Sequence, residues 1–434
     1  MAVESSSLSP ISADCFAPSQ GLLPLEEAWR RIAVSVSPVC AGEDCAVPQA
    51  AGRILAEPVV ASLPMPPHDN AAMDGYAVSG ADLAAARARG EDRIVLPVVR
   101  RIAAGDPPGE AVPPGQAVRI FTGAPLPPGL ETVVMQEDCV TAQEGGQILV
   151  SLPSAVATGD NRRRAGEDVE TGQTVLSPGV RLRPADVAMA AAVGRTRLRV
   201  FRPLRVALFS TGSELREPGQ PLPPGCIHDS NRYGVMAMLR ALGCDLTDLG
   251  ILPDKAPAIR AALDGAAEDH DLVITSGGVS VGEEDHVKGA VDSLGGLHFW
   301  KLALKPGRPV ALGTVRGAAF LGLPGNPVSA LVTLLLIGRP LIHRLQGRAE
   351  TPLVRYPLPA AFTFSKKPGR QEFIRVWTGT DSAGRLVLRA FPSQSSGVLS
   401  SMVQATGLAD LSREGTGVRE GETLDYIPFT EALW

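Results

Sequence analysis

The chain has 434 residues, room for about three structural units, and its 41 basic and 46 acidic side chains leave a formal charge of −5, which argues against a dedicated nucleic-acid binder. Hydrophobic residues at 44% and charged ones at 20% exclude a mainly disordered chain. With 46 glycines and 38 prolines, many turns and short strands are expected.

Residues 1–20 are rich in Ser and Pro, carry no basic patch followed by an apolar run, and read as a disordered tail rather than a secretory signal. Residues 21–32 place Leu22, Leu25, Ala28, Trp29 and Ile32 at helical spacing behind Glu26 and Glu27, so a helix is expected there. A second short helix is expected over 48–56, before a proline hinge at 63–67. From 68 to about 160, β-type runs at 93–99, 117–121, 132–136 and 147–152 alternate with turn clusters and predict a compact β unit. Residues 161–205 hold ten Arg and four acids, which reads as a solvated or interface surface, with a helix at 184–192.

Residues 205–346 alternate strands (206–209, 246–251, 272–275, 297–302, 310–312, 319–321) with helices (233–242 capped by Ser230, 256–267, 283–294, and one opened by Pro327). That alternation predicts a parallel sheet with helices on both faces. The apolar run 331–337 lies in a stretch of about a dozen residues, short of the roughly 20 of a membrane span, and reads as a buried helix. Residues 351–434 return to β runs at 373–377, 386–390 and 424–426, predicting a small closed sheet. Six cysteines are too few for a disulfide framework, and a reducing cytoplasm is expected.

In such a sheet, ligands bind beyond the carboxyl ends of the strands. Three loops stand there: Ser210-Thr211-Gly212-Ser213-Glu214, Ser276-Gly277-Gly278-Val279-Ser280, and Gly322-Leu323-Pro324-Gly325-Asn326. The Ser-Gly-Gly loop precedes a helix and suits a phosphate, although glycine loops also serve only as tight turns. Glu214, Asp254 and Asp285 follow strand ends and together suit Mg²⁺ bridging to phosphate oxygens; singly, each equally reads as a carboxylate favoured at a helix start. Lys301 and Lys305 flank a strand end, where they neutralise a second anion or are simply solvated. Residues 69–77 form a turn-rich segment presenting Asp74. There is no Walker loop or dinucleotide fingerprint, the six histidines show no paired spacing, and Cys40 and Cys45 lack a second pair for zinc.

These segments carry a resemblance. DNAAMDGYA (69–77), RIFTGAP (119–125), VVMQED (133–138), GED (166–168), STGSE (210–214), TSGGVSVGEED (275–285), KPGRP (305–309) and GLPGNPVSA (322–330) stand in the order found in the MoeA and gephyrin E-domain family of molybdopterin molybdenumtransferases. The chain resembles that family over about residues 21–434. His68, Ala71 and Arg308 depart from its usual Phe, Ser and Lys.

The resemblance implies a multidomain α/β plus β protein: a split helical linker unit (21–61 and 173–202), a β lever (62–172), a central α/β molybdopterin-binding-like unit with a parallel-rich sheet (203–350) and a C-terminal β-barrel (351–434). It also implies an elongated homodimer whose site joins the α/β and barrel units of one subunit to the lever of the other. The implied activity is Mg²⁺-dependent insertion of molybdate into adenylylated molybdopterin with release of AMP. The pterin and its phosphate would meet Thr211, Gly212, Ser276, Gly277, Gly278, Ser280, Pro324, Gly325 and Asn326. Glu214, Asp254 and Asp285 would hold Mg²⁺. Lys305, Ser329, Arg375 and Ser396 would take molybdate, with Lys301 nearby; Asp74, Thr122 and Asp168 match lever residues important in the family. Since the chain has a single Ser-Gly-Gly unit, adenylylation falls to a separate protein, and further partners deliver the product to molybdoenzymes. The competing expectations are a gephyrin-like scaffold that anchors peptides, or a pterin adenylyltransferase; the intact carboxylate set argues against the first, and the lever and barrel against the second.

Overall fold

A computed structural model describes residues 10–16, 21–278, 286–307 and 309–433. The four middle strands of its central sheet are apolar runs buried on both faces, the pattern of strands covered by helices, while the two edge strands are more polar and more exposed. The order is Asp245–Leu252, Arg205–Thr211, Leu272–Ser276, Ala318–Leu323, Pro309–Val315, Gly295–Lys301. The first four strands pair in parallel and Pro309–Val315 pairs antiparallel with both its neighbours, which makes the sheet mixed but parallel-rich, as expected. The reason is the two-residue turn at Arg316-Gly317, which folds Pro309–Val315 back on Ala318–Leu323 as a hairpin. Helices Asn231–Ala241 and Pro327–Leu345 lie in the large core on one face, while Ala256–Asp269 and His286–Leu294 share the core of the other.

The expected helix start at Ser230 differs in its cap. Ser230 makes no side-chain bond to the helix; the Asp229 carboxylate accepts from the Arg232 amide at 3.2 Å instead. Arg232, 2% exposed, also ion-pairs with Asp229, Asp248 and Glu217. Burial opposes its charge, but the bonds to Asp248 and Asp229 outweigh that and raise its pKa. Arg232→Met strands the fully buried Asp229, and an expected loss of about 3 kcal/mol is checked by the urea midpoint; an unchanged midpoint would remove the cluster from the stability of this unit.

The Pro327 helix is 19 residues long, longer than its apolar run suggested, and includes a π-helical turn at Leu334–Gly338. Its most apolar window is 83% buried inside the fold, which accounts for its hydropathy as that of a core helix. Residues 21–32 form a helix at Leu25–Ser35 that docks on this one, with Trp29 Nε1 donating to Leu336 O at 2.6 Å. Residues 10–16, expected to be part of a disordered tail, are ordered: Cys15 is fully buried and Phe16 stacks on His298 at 3.9 Å.

No helix spans 48–56. A short 3-10 turn at Val47–Gln49 is followed by Gly52 at φ +80°, and Ile54–Leu55 pairs with Val200 and Phe201 as a strand. The two segments expected as a split helical linker meet in one core, to which they bring short strands and the helix Pro184–Ala192, while Leu25–Ser35 packs on the large core of the α/β unit.

The lever is a six-stranded sheet ordered Thr132–Met135, Gly75–Val78, Ala117–Ile120, Arg93–Ile102, Gln147–Pro153, Val140–Glu144. A Cβ on Gly75 would stand 2.0 Å from Val134 O, so the Asp-Gly of the 69–77 motif is needed for strand approach. The sequence reading missed its helix Gly80–Ala88, signalled by Ser79, whose hydroxyl accepts from the Ala81 amide at 3.2 Å. In the C-terminal unit, Leu386–Ala390, Gln371–Thr380, Gly407–Leu411, Thr423–Pro428 and Tyr356–Pro359 pair in that order. A bridge from Ala360 to Leu388 joins the two ends, closing the sheet as expected.

Candidate active site

The parallel register sets Ser210 beside Ser276 and Ser276 beside Leu323, so three strands end at one level. Beyond those ends lies a cavity of about 650 Å³. Thr211, Glu214, Gly277, Gly278, Pro324, Gly325 and Asn326 line one side, and Lys305, Ser329 and Ser396 another. Ten residues singled out from the sequence therefore meet in one space.

Local bonds fix these loops. Gly278 has φ +65°, and a Cβ there would lie 2.7 Å from both Thr211 Cγ2 and Val287 Cγ2, so its glycine is required by packing as well as by backbone. The Gly277 amide donates to Leu323 O at 3.2 Å, so that N–H is already engaged. Asn231 Nδ2 donates to Gly325 O at 2.7 Å and braces the Pro-Gly-Asn loop. Thr211 Oγ1 donates to Asp254 Oδ1 at 3.2 Å, tying that carboxylate to the cavity wall.

Lys305 reaches the cavity because the short strand Leu304–Lys305 pairs in parallel with Gln371 and Glu372 of the barrel. Its Nζ lies 3.1 Å from Glu372 Oε2; the Glu372 side chain is 5% exposed and that of Lys305 43%. Arg370, which the sequence reading passed over, also lines the cavity. Its signal was the basic turn Lys366-Lys367-Pro368-Gly369-Arg370 at the start of a barrel strand. Among the described lining residues the charged groups are Lys305, Arg370 and Glu214, a net positive set suited to an anion.

Several expected residues stand elsewhere. Arg375 is 1% exposed and does not line the cavity; its guanidinium donates to Ser401 Oγ at 3.1 Å and Ser395 O at 3.1 Å, behind the loop that carries Ser395 and Ser396. Burial lowers its pKa to about 10. It is a positioning residue, and closure of the barrel is what hid its direction from the sequence. Gln394, also missed, braces the same loop: its side chain accepts from the Arg375 amide and donates to Arg375 O. Lys301 is exposed at the end of Gly295–Lys301, outside the lining, with its carbonyl bonded to the Leu23 amide. Ser276 is buried in its strand behind the cavity, and Gly212 lies beneath the Glu214 carboxylate. Ser280 and Asp285 lie outside the described residues. Among the described residues no three His, Cys, Asp or Glu side chains cluster as a metal site.

The lever group is separate from the cavity lining. Asp74 Oδ1 accepts from the Thr122 amide at 2.8 Å and its hydroxyl at 2.7 Å. The amide first, then the hydroxyl, hold the Asp74 carboxyl below the usual carboxylate range. Asp168 is exposed on the same unit, its amide bonded to Met65 O at 3.1 Å.

Three family models match the chain: MoeA N-terminal region (domain I and II) over residues 23–194, probable molybdopterin binding domain over 207–344, and MoeA C-terminal region (domain IV) over 357–429. The chain is 40% identical to a molybdopterin molybdenumtransferase of Haemophilus influenzae, over 89% of this chain and 93% of the relative. It is 36% identical to molybdopterin molybdenumtransferase 2 of Mycobacterium tuberculosis, over 92% and 98%. Among solved structures it is similar to the molybdopterin biosynthesis moeA protein of Pyrococcus horikoshii OT3, with a TM-score of 0.78 at 29% identity over 94% of this chain and 100% of that one.

Proposed function

The chain belongs to the molybdopterin molybdenumtransferase (MoeA) family of molybdenum cofactor biosynthesis, and from that premise we propose that it takes adenylylated molybdopterin and molybdate, loads the pterin with molybdenum and releases AMP, with Mg²⁺. The observation that carries the substrate arrangement is the cavity itself, where strand-end loops face two cations, Lys305 and Arg370, and three serines, Ser329, Ser395 and Ser396. Lys305 and Arg370 offset the charge of the tetrahedral oxyanion, and Ser329 and Ser396 donate hydrogen bonds that orient it. Thr211, Gly278 and the Pro324-Gly325-Asn326 loop bound the side on which the pterin phosphate lies. Catalysis is positioning and charge stabilisation, without a protein nucleophile.

Glu214 and Asp254 are the described residues that would hold magnesium, with Asp285 as the further candidate; their carboxylate oxygens suit that hard ion. The ion supplies charge neutralisation at the pyrophosphate. Asp74, Thr122 and Asp168 complete the site from the lever of a partner subunit in a homodimer, a reading supported by the preformed Asp74–Thr122 pair standing apart from the cavity of its own chain. The reaction belongs to the cytoplasm, with adenylylation and onward delivery left to other proteins.

The test is AMP release from adenylylated molybdopterin, followed with molybdate and Mg²⁺ present or withheld. AMP should appear only with both, alongside molybdenum retained on the pterin. Release at the same rate without molybdate, or with magnesium chelated, would overturn this reading.

A further inference from the structure

A second cavity, of about 260 Å³, opens between helix Leu25–Ser35, the C-terminal half of Pro327–Leu345 and residues 350–355. Trp29, Ile32, Leu335, Leu336, Pro352 and Leu353 supply an apolar wall. Trp29 is fixed there by its bond to Leu336 O at 2.6 Å.

The cations set into this wall are unusual. Arg339 is 7% exposed, yet the hydrogen bond its guanidinium makes goes to a carbonyl, Thr351 O, at 3.3 Å. Arg344 bonds Val36 O through Nη2, while its Nε is buried with no partner. Arg348 Nη1 faces His343 Nε2 at 2.9 Å. Burial first, then Arg348, Arg339 and Arg181, push the His343 pKa down to about 2, so the ring is neutral. Burial, Arg339 and Arg181 lower that of Arg348 to about 10. Glu350, the one acidic lining residue described, is exposed and ion-pairs with none of them, and Arg355 is committed to Asp410 and Asp425. Buried guanidinium charge without a carboxylate is costly, and interiors normally supply the counterion.

We propose that this cavity is a binding site for a small apolar carboxylic acid, whose carboxylate pairs with Arg339 and Arg348 and whose hydrocarbon body lies against Trp29, Leu335 and Leu353. A planar carboxylate matches the guanidinium fork, and an apolar pocket with a few convergent polar groups is the usual form of a small-molecule site. The site is separate from the strand-end cavity, sharing no lining residue with it, and it does not depend on the reaction proposed there.

Titration calorimetry of the full chain tests it with 3-phenylpropanoate, its neutral counterpart 3-phenylpropanol, and inorganic phosphate. The acid should saturate one site per chain, with the alcohol and phosphate each weaker by about tenfold or more. Arg339→Gln should weaken the acid by about tenfold and leave the alcohol unchanged. If that variant loses its cooperative unfolding, Arg348→Gln at a half-exposed position decides by the same comparison. Equal binding of alcohol and acid, equal binding of phosphate and acid, or no saturation by millimolar acid would each overturn the proposal.

Discussion

Lys305→Ala is expected to lower molybdate-dependent AMP release by about 100-fold or more, with the larger loss in the response to molybdate rather than to pterin. Lys305 is one of two cations on the described cavity wall, and one of its three donors is used by Glu372. Alanine therefore removes about half the local positive charge that a doubly charged oxyanion would meet. A second effect must be separated from the first. Glu372 is nearly fully buried, and losing its cation should cost about 1–2 kcal/mol of stability, discounted for the exposure of the lysine. The double variant Lys305→Ala with Glu372→Gln should regain most of the thermal stability and none of the turnover. If turnover returns with stability, Lys305 only holds the fold; if pterin and molybdate responses fall equally, it does not face the oxyanion.

The second large effect concerns two chains. Asp74→Asn and Lys305→Ala are each expected to inactivate the proposed homodimer, and mixing them under subunit exchange should restore activity. Asp74 lies on the lever with Thr122, and Lys305 on the α/β–barrel seam. If each site takes its lever from the partner, a mixed dimer has one site with both lesions and one with neither. With equal amounts and random pairing about half the dimers are mixed, each with one good site, so roughly a quarter of wild-type activity should return. Mass-resolved heterodimers that stay inactive, while wild-type chains survive the same exchange, would place Asp74 and Lys305 in one chain's site or outside it.

The strand-end loops were legible because their signal is local. Val206, Leu208, Ile274 and Leu321 are apolar runs stopped by Gly-rich turns, and the carboxyl-end rule then selects Thr211, Gly277 and Asn326 without any knowledge of contacts. Arg375 was not legible in the same way. Alternation puts it on one side of a strand, but only closure of the barrel turns that side away from the cavity and onto Ser401. The failed helix at 48–56 has the same kind of cause: Gly52 breaks the local pattern, and a distant strand at Val200 captures Ile54 and Leu55. Arg370 shows the opposite lesson, since a basic Pro-Gly turn was visible and became informative only once Glu372 beside it was seen to pair with Lys305.

The Leu304–Lys305 strand also makes the cavity's opening measurable. It is the two-residue splice between the α/β unit and the barrel, and just before it the Gln371 amide donates to Ala303 O at 2.8 Å. A second bond between the units, from the Val328 amide to Ser396 O at 3.1 Å, stands beside the cavity, so rocking of the barrel away from the strand-end loops would strain both. The exchange rate of the Gln371 amide with deuterated solvent is therefore a clock for the gap through which a bulky pterin would enter and leave. Slowing of that clock by molybdate would register the oxyanion as a clasp between the two units, independently of turnover.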